Sequence, residues 1–196
     1  MTMRADLHVL AIPGSLRRGS FNRLLLATAT EVAPTGMTIE ILDNVGDLPL
    51  FNEDLERGSA SGPAPVRILR ARVAAADGLL IATPEYNQSL SGVLKNAIDW
   101  LSRPAPEEVL IGKPVAVIGA SAGRWGTRLA QAALRQVLTA TECVVMPAPA
   151  LFVREAQNLF DTSGQLTDEQ TKASLRAVIN AFGMWIERVS APRTAA

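Results

Sequence analysis

Cysteine is nearly missing from this 196-residue chain. Cys143 is the only one, so no intrachain disulfide can form and the fold must rest on its apolar core. That usage suits a reducing compartment. No apolar run is long enough to span a bilayer, and Leu7 to Ile12 is too short for a secretory core and runs directly into Pro13-Gly14-Ser15. The chain therefore reads as a soluble cytoplasmic protein with no membrane partner. Neither sign of charge dominates: Lys plus Arg and Asp plus Glu each number 19. This excludes the basic face that nucleic-acid binding needs and leaves little self-repulsion against association. No cluster of His, Cys, Asp and Glu has metal-ligand spacing, and no Gly-x-Ser-x-Gly nucleophile elbow is present. A Walker A loop and a Gly-x-Gly-x-x-Gly fingerprint are missing as well.

What is present is apolar material, 48% of residues, arranged in alternating strand and helix signals. His8 to Ile12, Thr38 to Leu42, Gly78 to Thr83, Pro114 to Gly119 and Cys143 to Met146 read as short strands. Helical spacing marks Phe21 to Val32 with Ser20 as N-cap, Pro65 to Ala76, Ser91 to Leu101 and Gly126 to Leu138. Leu166 to Val189 is predicted as a long closing helix, with Thr167 and Gln170 as its capping box. Asp43 to Pro63 is a long irregular stretch of the kind that tends to serve function, and residues 150–165 read as an irregular connection. Five apolar strands separated by helices imply one α/β domain over residues 1–196, with a parallel sheet covered on both faces. The expected arrangement is flavodoxin-like, doubly wound, with strand order 2-1-3-4-5.

In such a sheet the loops at the carboxyl ends of the strands share one edge, where ligands bind. Two of these loops carry chemistry. The first, Gly14-Ser15-Leu16-Arg17-Arg18-Gly19-Ser20-Phe21-Asn22, offers hydroxyls, an amide, guanidinium groups and a helix amino terminus. Those are the donors a phosphate dianion takes; the same residues also serve as an ordinary capped turn. The second, Thr83-Pro84-Glu85-Tyr86-Asn87, offers backbone amides, an amide side chain and the chain's single tyrosine to a flat polar ring. Its alternative is half-buried packing by Tyr86 and a solvated Glu85. A third loop, Ser121 to Gly126, has small residues that let backbone approach a ring closely, or is simply a flexible turn. His8 and Cys143 read as structural, Lys95 and Asp99 as a helical pair, Trp100 and Trp185 as core or interface, and Trp125 as the tryptophan nearest the site.

Taken in order, these motifs resemble the NADPH-dependent FMN reductase family. The resemblance rests on Gly-Ser-Leu-Arg-x-x-Ser-x-Asn at 14–22, Leu48-Pro49-Leu50-Phe51-Asn52-Glu53-Asp54-Leu55, Thr83 to Asn87, and Ser91-Gly92-Val93-Leu94-Lys95-Asn96-Ala97-Ile98-Asp99-Trp100. It implies a flavodoxin-like fold and bound FMN. Ser15, Arg17, Ser20 and Asn22 would hold the phosphate, with Phe21 contributing backbone and Arg18 the competing arginine. Pro84, Glu85, Tyr86 and Asn87 would border the ring, and Ser121 and Gly123 would approach it from the third loop. It also implies hydride transfer from NADPH or NADH to the flavin and on to a small-molecule acceptor such as a quinone, in ping-pong order. No side chain is then catalytic in its own right, because the flavin carries the chemistry. A homodimer or homotetramer is implied too. The sequence departs from the family at Ser91, where members often carry proline, and at Arg124-Trp125, where they commonly have smaller or less charged residues. The rival readings are a flavodoxin-type single-electron carrier, against which the neutral charge argues, a flavin-based redox sensor, and a reductase that releases reduced FMN to a partner.

Overall fold

The computed structural model describes residues 6–43, 45–56, 62–103 and 108–190. Strands β1 (Leu7–Pro13), β2 (Met37–Ile41), β3 (Gly78–Ala82), β4 (Pro114–Ala120) and β5 (Val144–Val145) form a parallel sheet in the order β2-β1-β3-β4-β5. Helices α1 (Phe21–Glu31), α2 (Ala64–Ala75), α3 (Gly92–Leu101) and α4 (Arg128–Ala140) make the crossovers, and α5 (Glu169–Ser190) follows.

The alternation of side chains along each strand sorts the core into two layers. Val9 and Ala11 of β1 point with Leu80 of β3 toward Leu25 and Leu26 of α1 and Val178 and Phe182 of α5. Leu10 and Ile12 point with Leu79 and Ile81 to the other face, against Leu69, Leu94, Ile98 and Leu134 of α2, α3 and α4. Each fully buried Leu or Ile contributes about 1.5–3 kcal/mol relative to exposure. No amphipathic pattern is visible in β3 and β4 because both faces are covered, and all their residues are buried. Among the described residues, no helix is long and apolar enough to cross a membrane.

The fold corrects the sequence reading at three places. The fifth strand is not continuous from Cys143 to Met146. β5 pairs with Pro114 and Val115, the chain leaves the edge at Pro147 to Ala150, and β6 (Leu151–Val153) returns to pair with Ile118 to Ala120. Pro147 and Pro149 have no N–H to give to a ladder, which accounts for the break. Helix α4 starts at Arg128, not Gly126, because Gly126 sits at φ +67° in a turn. The last helix starts at Glu169 and its cap is Asp168, whose Oδ2 accepts from the backbone N–H and the hydroxyl of Thr171 at 3.1 Å each. The hydroxyl of Thr167 donates instead to the Leu159 carbonyl. Within the Asp43–Pro63 stretch, two short 3-10 turns at Val45–Asp47 and Glu53–Leu55 supply local order, while residues 44 and 57–61 lie outside the described residues.

Several side chains read as structural do structural work. The His8 ring is 3.0 Å from Glu40 at the sheet surface. Lys95 pairs with Asp99 at 2.7 Å along α3. The Trp100 indole is buried and donates to the Pro49 carbonyl, and that of Trp185 donates to Val144. Burial pushes the Cys143 thiol above its ordinary value, which removes the thiolate that redox chemistry needs.

Candidate active site

Strands β1 and β3 are neighbours whose crossovers leave in opposite directions, so the loops after them diverge and open a crevice at the carboxyl edge. The loop after β4 forms its third wall. Together they enclose a cavity of about 390 Å³, within the range of small-molecule and cofactor sites.

The first wall runs from Ser15 to Asn22. Ser20 is extended at φ −73° and ψ 116°, and its hydroxyl oxygen caps α1 by accepting from the Arg23 N–H at 3.3 Å. That leaves the N–H groups of Phe21 and Asn22, at the first two helical positions, without an intrahelical acceptor and at the positive end of the helix dipole. Arg17 lines the cavity and is braced by a 2.7 Å bond to the Gly19 carbonyl and by the Phe21 ring, 5.2 Å from its guanidinium carbon. Arg18 is exposed and does not line it. This settles which of the two arginines faces the cavity. Asn22 borders the cavity too, but its side chain is held elsewhere. Its amide donates to the Ala120 carbonyl and accepts from the Ala120 N–H, both at 2.9 Å, which fastens the start of α1 to the end of β4.

The second wall is Pro84, Glu85 and Tyr86. Tyr86 and Ser89 exchange two backbone bonds of 3.1 and 3.0 Å around Asn87 (φ 50°) and Gln88 (φ 63°). This is a two-residue turn with both centres left-handed, the type I′ form. Asn87 is its exposed tip and is not brought into the cavity wall. The Tyr86 hydroxyl lies 3.4 Å from the Ser15 hydroxyl, linking the first two walls. Ser91 ties the third helix to the same place by donating to the Gly14 carbonyl at 2.6 Å. A hydroxyl is what makes this bond.

Glu85 bridges to the third wall. Its Oε2 accepts from the Leu129 and Ala130 N–H groups at 2.9 and 3.0 Å. Those are orphan donors in the first turn of α4, where Thr127 makes no side-chain cap bond. Glu85 thus lines the cavity with its stem while its carboxylate caps a helix. In the third loop, Ser121 accepts from the Gly123 N–H and donates to the Gly126 carbonyl. Ala122 and Trp125 complete this wall.

Residues 150–165, left without a role by the sequence, support the site. Backbone bonds join Ser121 N–H to the Val153 carbonyl, Ala156 N–H to the Ser121 carbonyl and Glu155 N–H to the Gly123 carbonyl, at 3.0–3.2 Å. Phe160 stacks on Phe21 with ring centres 5.9 Å apart. No motif signalled this, because the bonds to the third loop are made by main chain.

The donor set fits FMN. One end of the cavity collects free helix N–H groups, hydroxyls and a guanidinium, as a phosphate requires. The other is bounded by Pro84, Glu85, Tyr86, Ser121, Gly123 and Trp125. At Gly123 a Cβ would meet nothing nearer than the Ser121 hydroxyl at 3.5 Å, so its absence leaves room beside the wall.

A doubly wound parallel sheet with a crevice rich in phosphate-type donors at its switch point is the frame of a flavodoxin-like mononucleotide-binding protein. Residues 7–158 match the NADPH-dependent FMN reductase family, and the chain belongs to it. An NAD(P)H-dependent FMN reductase of Pseudomonas aeruginosa is 45% identical over 187 residues, covering 95% of this chain and 99% of that one. A quinone reductase of Escherichia coli K12 is 40% identical over 95% of this chain and 99% of its own length. Among solved structures, FerB, a flavoenzyme NAD(P)H:(acceptor) oxidoreductase from Paracoccus denitrificans, superposes with a TM-score of 0.85 at 37% identity, covering 93% and 98% of the two chains.

Proposed function

We propose that this chain is an FMN-dependent NAD(P)H oxidoreductase that serves quinone-like and other small acceptors. The observation that carries it is the pairing, in one cavity, of the unpaired α1 N–H groups and Arg17 with the Pro84–Tyr86 and Ser121–Gly126 walls. When bound, FMN supplies acceptance of hydride from the nicotinamide and its delivery to the acceptor.

The protein's part is to bind and orient. The Phe21 and Asn22 N–H groups, the Ser15 and Ser20 hydroxyls and Arg17 would hold the phosphate. Pro84, Glu85 and Tyr86 would border one edge of the ring with Ser121 and Gly123 opposite, and Asn87 would serve through the turn it shapes. The ties among Glu85, α4, Asn22 and Ala120 keep these walls at fixed separation, so binding costs little ordering. The whole chain then acts as one flavodoxin-like FMN-binding domain.

Near-zero net charge and exposed apolar side chains at Leu50 (83% exposed) and Leu55 (42%) support a homodimer or homotetramer. Sedimentation giving only a monomer at micromolar concentration would end that part of the reading. A single buried thiol and balanced charge support residence in the cytoplasm. The test of function is the visible spectrum of purified protein with FMN, followed anaerobically on adding NADPH or NADH. Flavin bands that travel with the protein and bleach within seconds are expected. Protein that retains no flavin after FMN is added overturns the reading.

A further inference from the structure

The mouth of the cavity differs from its walls. Trp125 lines the cavity yet is 66% exposed. The guanidinium carbon of Arg124 stands 5.0 Å from the Trp125 ring centre. Arg128, on the first residue of α4, stands 5.9 Å from the ring of Phe152, itself 38% exposed. These arginines contact rings, and among the described residues neither stands within ion-pair distance of a carboxylate. The carboxylate in the cavity wall, Glu85, already faces two helix N–H groups. Arg124 and Arg128 do not line the cavity themselves, but Arg124 stands on Trp125, which does, so its charge lies beside that wall. A guanidinium stacked on an indole keeps its in-plane N–H fork free for oxygen ligands. An indole left mostly in water keeps apolar surface that a ligand can cover.

We propose that Arg124, seated on Trp125, is the specificity-determining residue for the phosphates of the nicotinamide donor and favours NADPH over NADH. This rests on the proposed function. The donors are polyanions, and NADPH carries one phosphate more than NADH, whereas a simple benzoquinone carries no charge. Losing the Arg124 charge therefore penalises NADPH most, NADH less and a neutral quinone least.

Holoenzyme carrying Arg124→Gln or Trp125→Leu tests it, beside Arg188→Gln. Arg188 is exposed in the last turn of α5, which packs at the opposite edge of the sheet through Ile186 beside Gly78, so it controls for the change of net charge. In ping-pong kinetics kcat/KM for the donor and for the acceptor report separate half-reactions. Arg124→Gln is expected to lower kcat/KM for NADPH about tenfold, the worth of one charge-assisted contact, and for NADH roughly threefold. With 1,4-benzoquinone it stays within about twofold. Trp125→Leu is expected to follow the same order. Titration of oxidised holoenzyme with NADP⁺, which needs no turnover, is expected to show a similar weakening in Arg124→Gln and none in Arg188→Gln.

Equal losses for NADPH and 1,4-benzoquinone overturn the proposal, as does no loss at all. A loss confined to a carboxylated quinone overturns it in favour of acceptor recognition. If wild type retains no flavin, the proposed function fails and this inference with it. If wild-type flavin bleaches with NADPH while Arg124→Gln is unchanged, only this inference fails.

Discussion

Removing the Glu85 carboxylate should loosen two walls of the cavity at once. In Glu85→Ala the Leu129 and Ala130 N–H groups lose acceptors at 2.9 and 3.0 Å. No acidic residue in the first turn of α4 and no side-chain cap from Thr127 stands in reserve. Loss of a helix cap costs about 0.5–2 kcal/mol, and loss of a negative charge at a helix amino terminus a further 0.3–1 kcal/mol or so. Leu129 is half exposed, so water can replace one acceptor. Ala130 is fully buried, so its N–H has no such replacement. The sum is about 2 kcal/mol. Urea unfolding read by tryptophan emission checks it, with Glu85→Gln as companion, since its amide oxygen still accepts without charge and should restore about half. The tie also joins the second and third walls, so FMN should bind several-fold more weakly to the alanine variant than to the glutamine one. A Glu85→Ala midpoint within about 0.5 kcal/mol of wild type, at unchanged slope, would refute the claim that this carboxylate fastens the site.

Three further outcomes follow from the same contacts. Asn22→Ala leaves the buried Ala120 N–H and carbonyl without their 2.9 Å partners. It should cost about 2–4 kcal/mol, and thermal unfolding within about 1 kcal/mol of wild type would contradict the clamp. Cys143 is buried and its thiol is pushed up by burial, so iodoacetamide at pH 7.5 should leave the native protein unmodified by intact mass while labelling it fully in urea. The Asp161 carboxylate accepts from the Ser163 hydroxyl and the Gln165 N–H, which hold it below its ordinary 3.8. A group lowered on folding stabilises above its unfolded value and loses that contribution as pH falls through the folded one. Protection of the 161–165 turn should therefore weaken at acid pH below 3.8, and in Asp161→Asn the protection factors there, corrected for intrinsic exchange, should no longer change with pH.

The strands and helices were legible because burial writes itself as short apolar runs and periodic stripes. β3 and β4 lie buried on both faces and show as unbroken runs, β1 does so beyond His8, and α3 shows its face at Leu94, Ala97, Ile98 and Leu101. The edge was harder. Val144 and Val145 look like a strand of ordinary length, and nothing in Pro147 to Ala150 announces that the chain rejoins the same neighbour at Leu151. A pairing to β4 depends on what lies across the sheet, which no local pattern records. Gly119 has the same origin. A Cβ there would stand 2.1 Å from the Thr127 hydroxyl and 2.5 Å from the Thr83 carbonyl, a requirement set by residues from two other elements.

For the candidate site, residue types foretold location better than task. Ser15, Arg17, Ser20, Pro84, Tyr86, Ser121 and Gly123 all line one cavity, because strand ends in a parallel sheet must share an edge. Which atom faces inward is another matter. Glu85 and Asn22 carry suitable groups in suitable loops, yet a helix terminus and a strand end take those groups at 2.9–3.0 Å. Buried or half-buried, the N–H groups of α4 and the main chain of Ala120 must be satisfied within the protein. Polar side chains flanking the binding loop are therefore drawn first to backbone, and the first N–H groups of α1 remain for a ligand, with Arg17 keeping further N–H groups beyond its bond to Gly19. A site built this way is tied together at its walls and leaves Trp125 66% exposed, so a substitution there can change what the site admits without untying it.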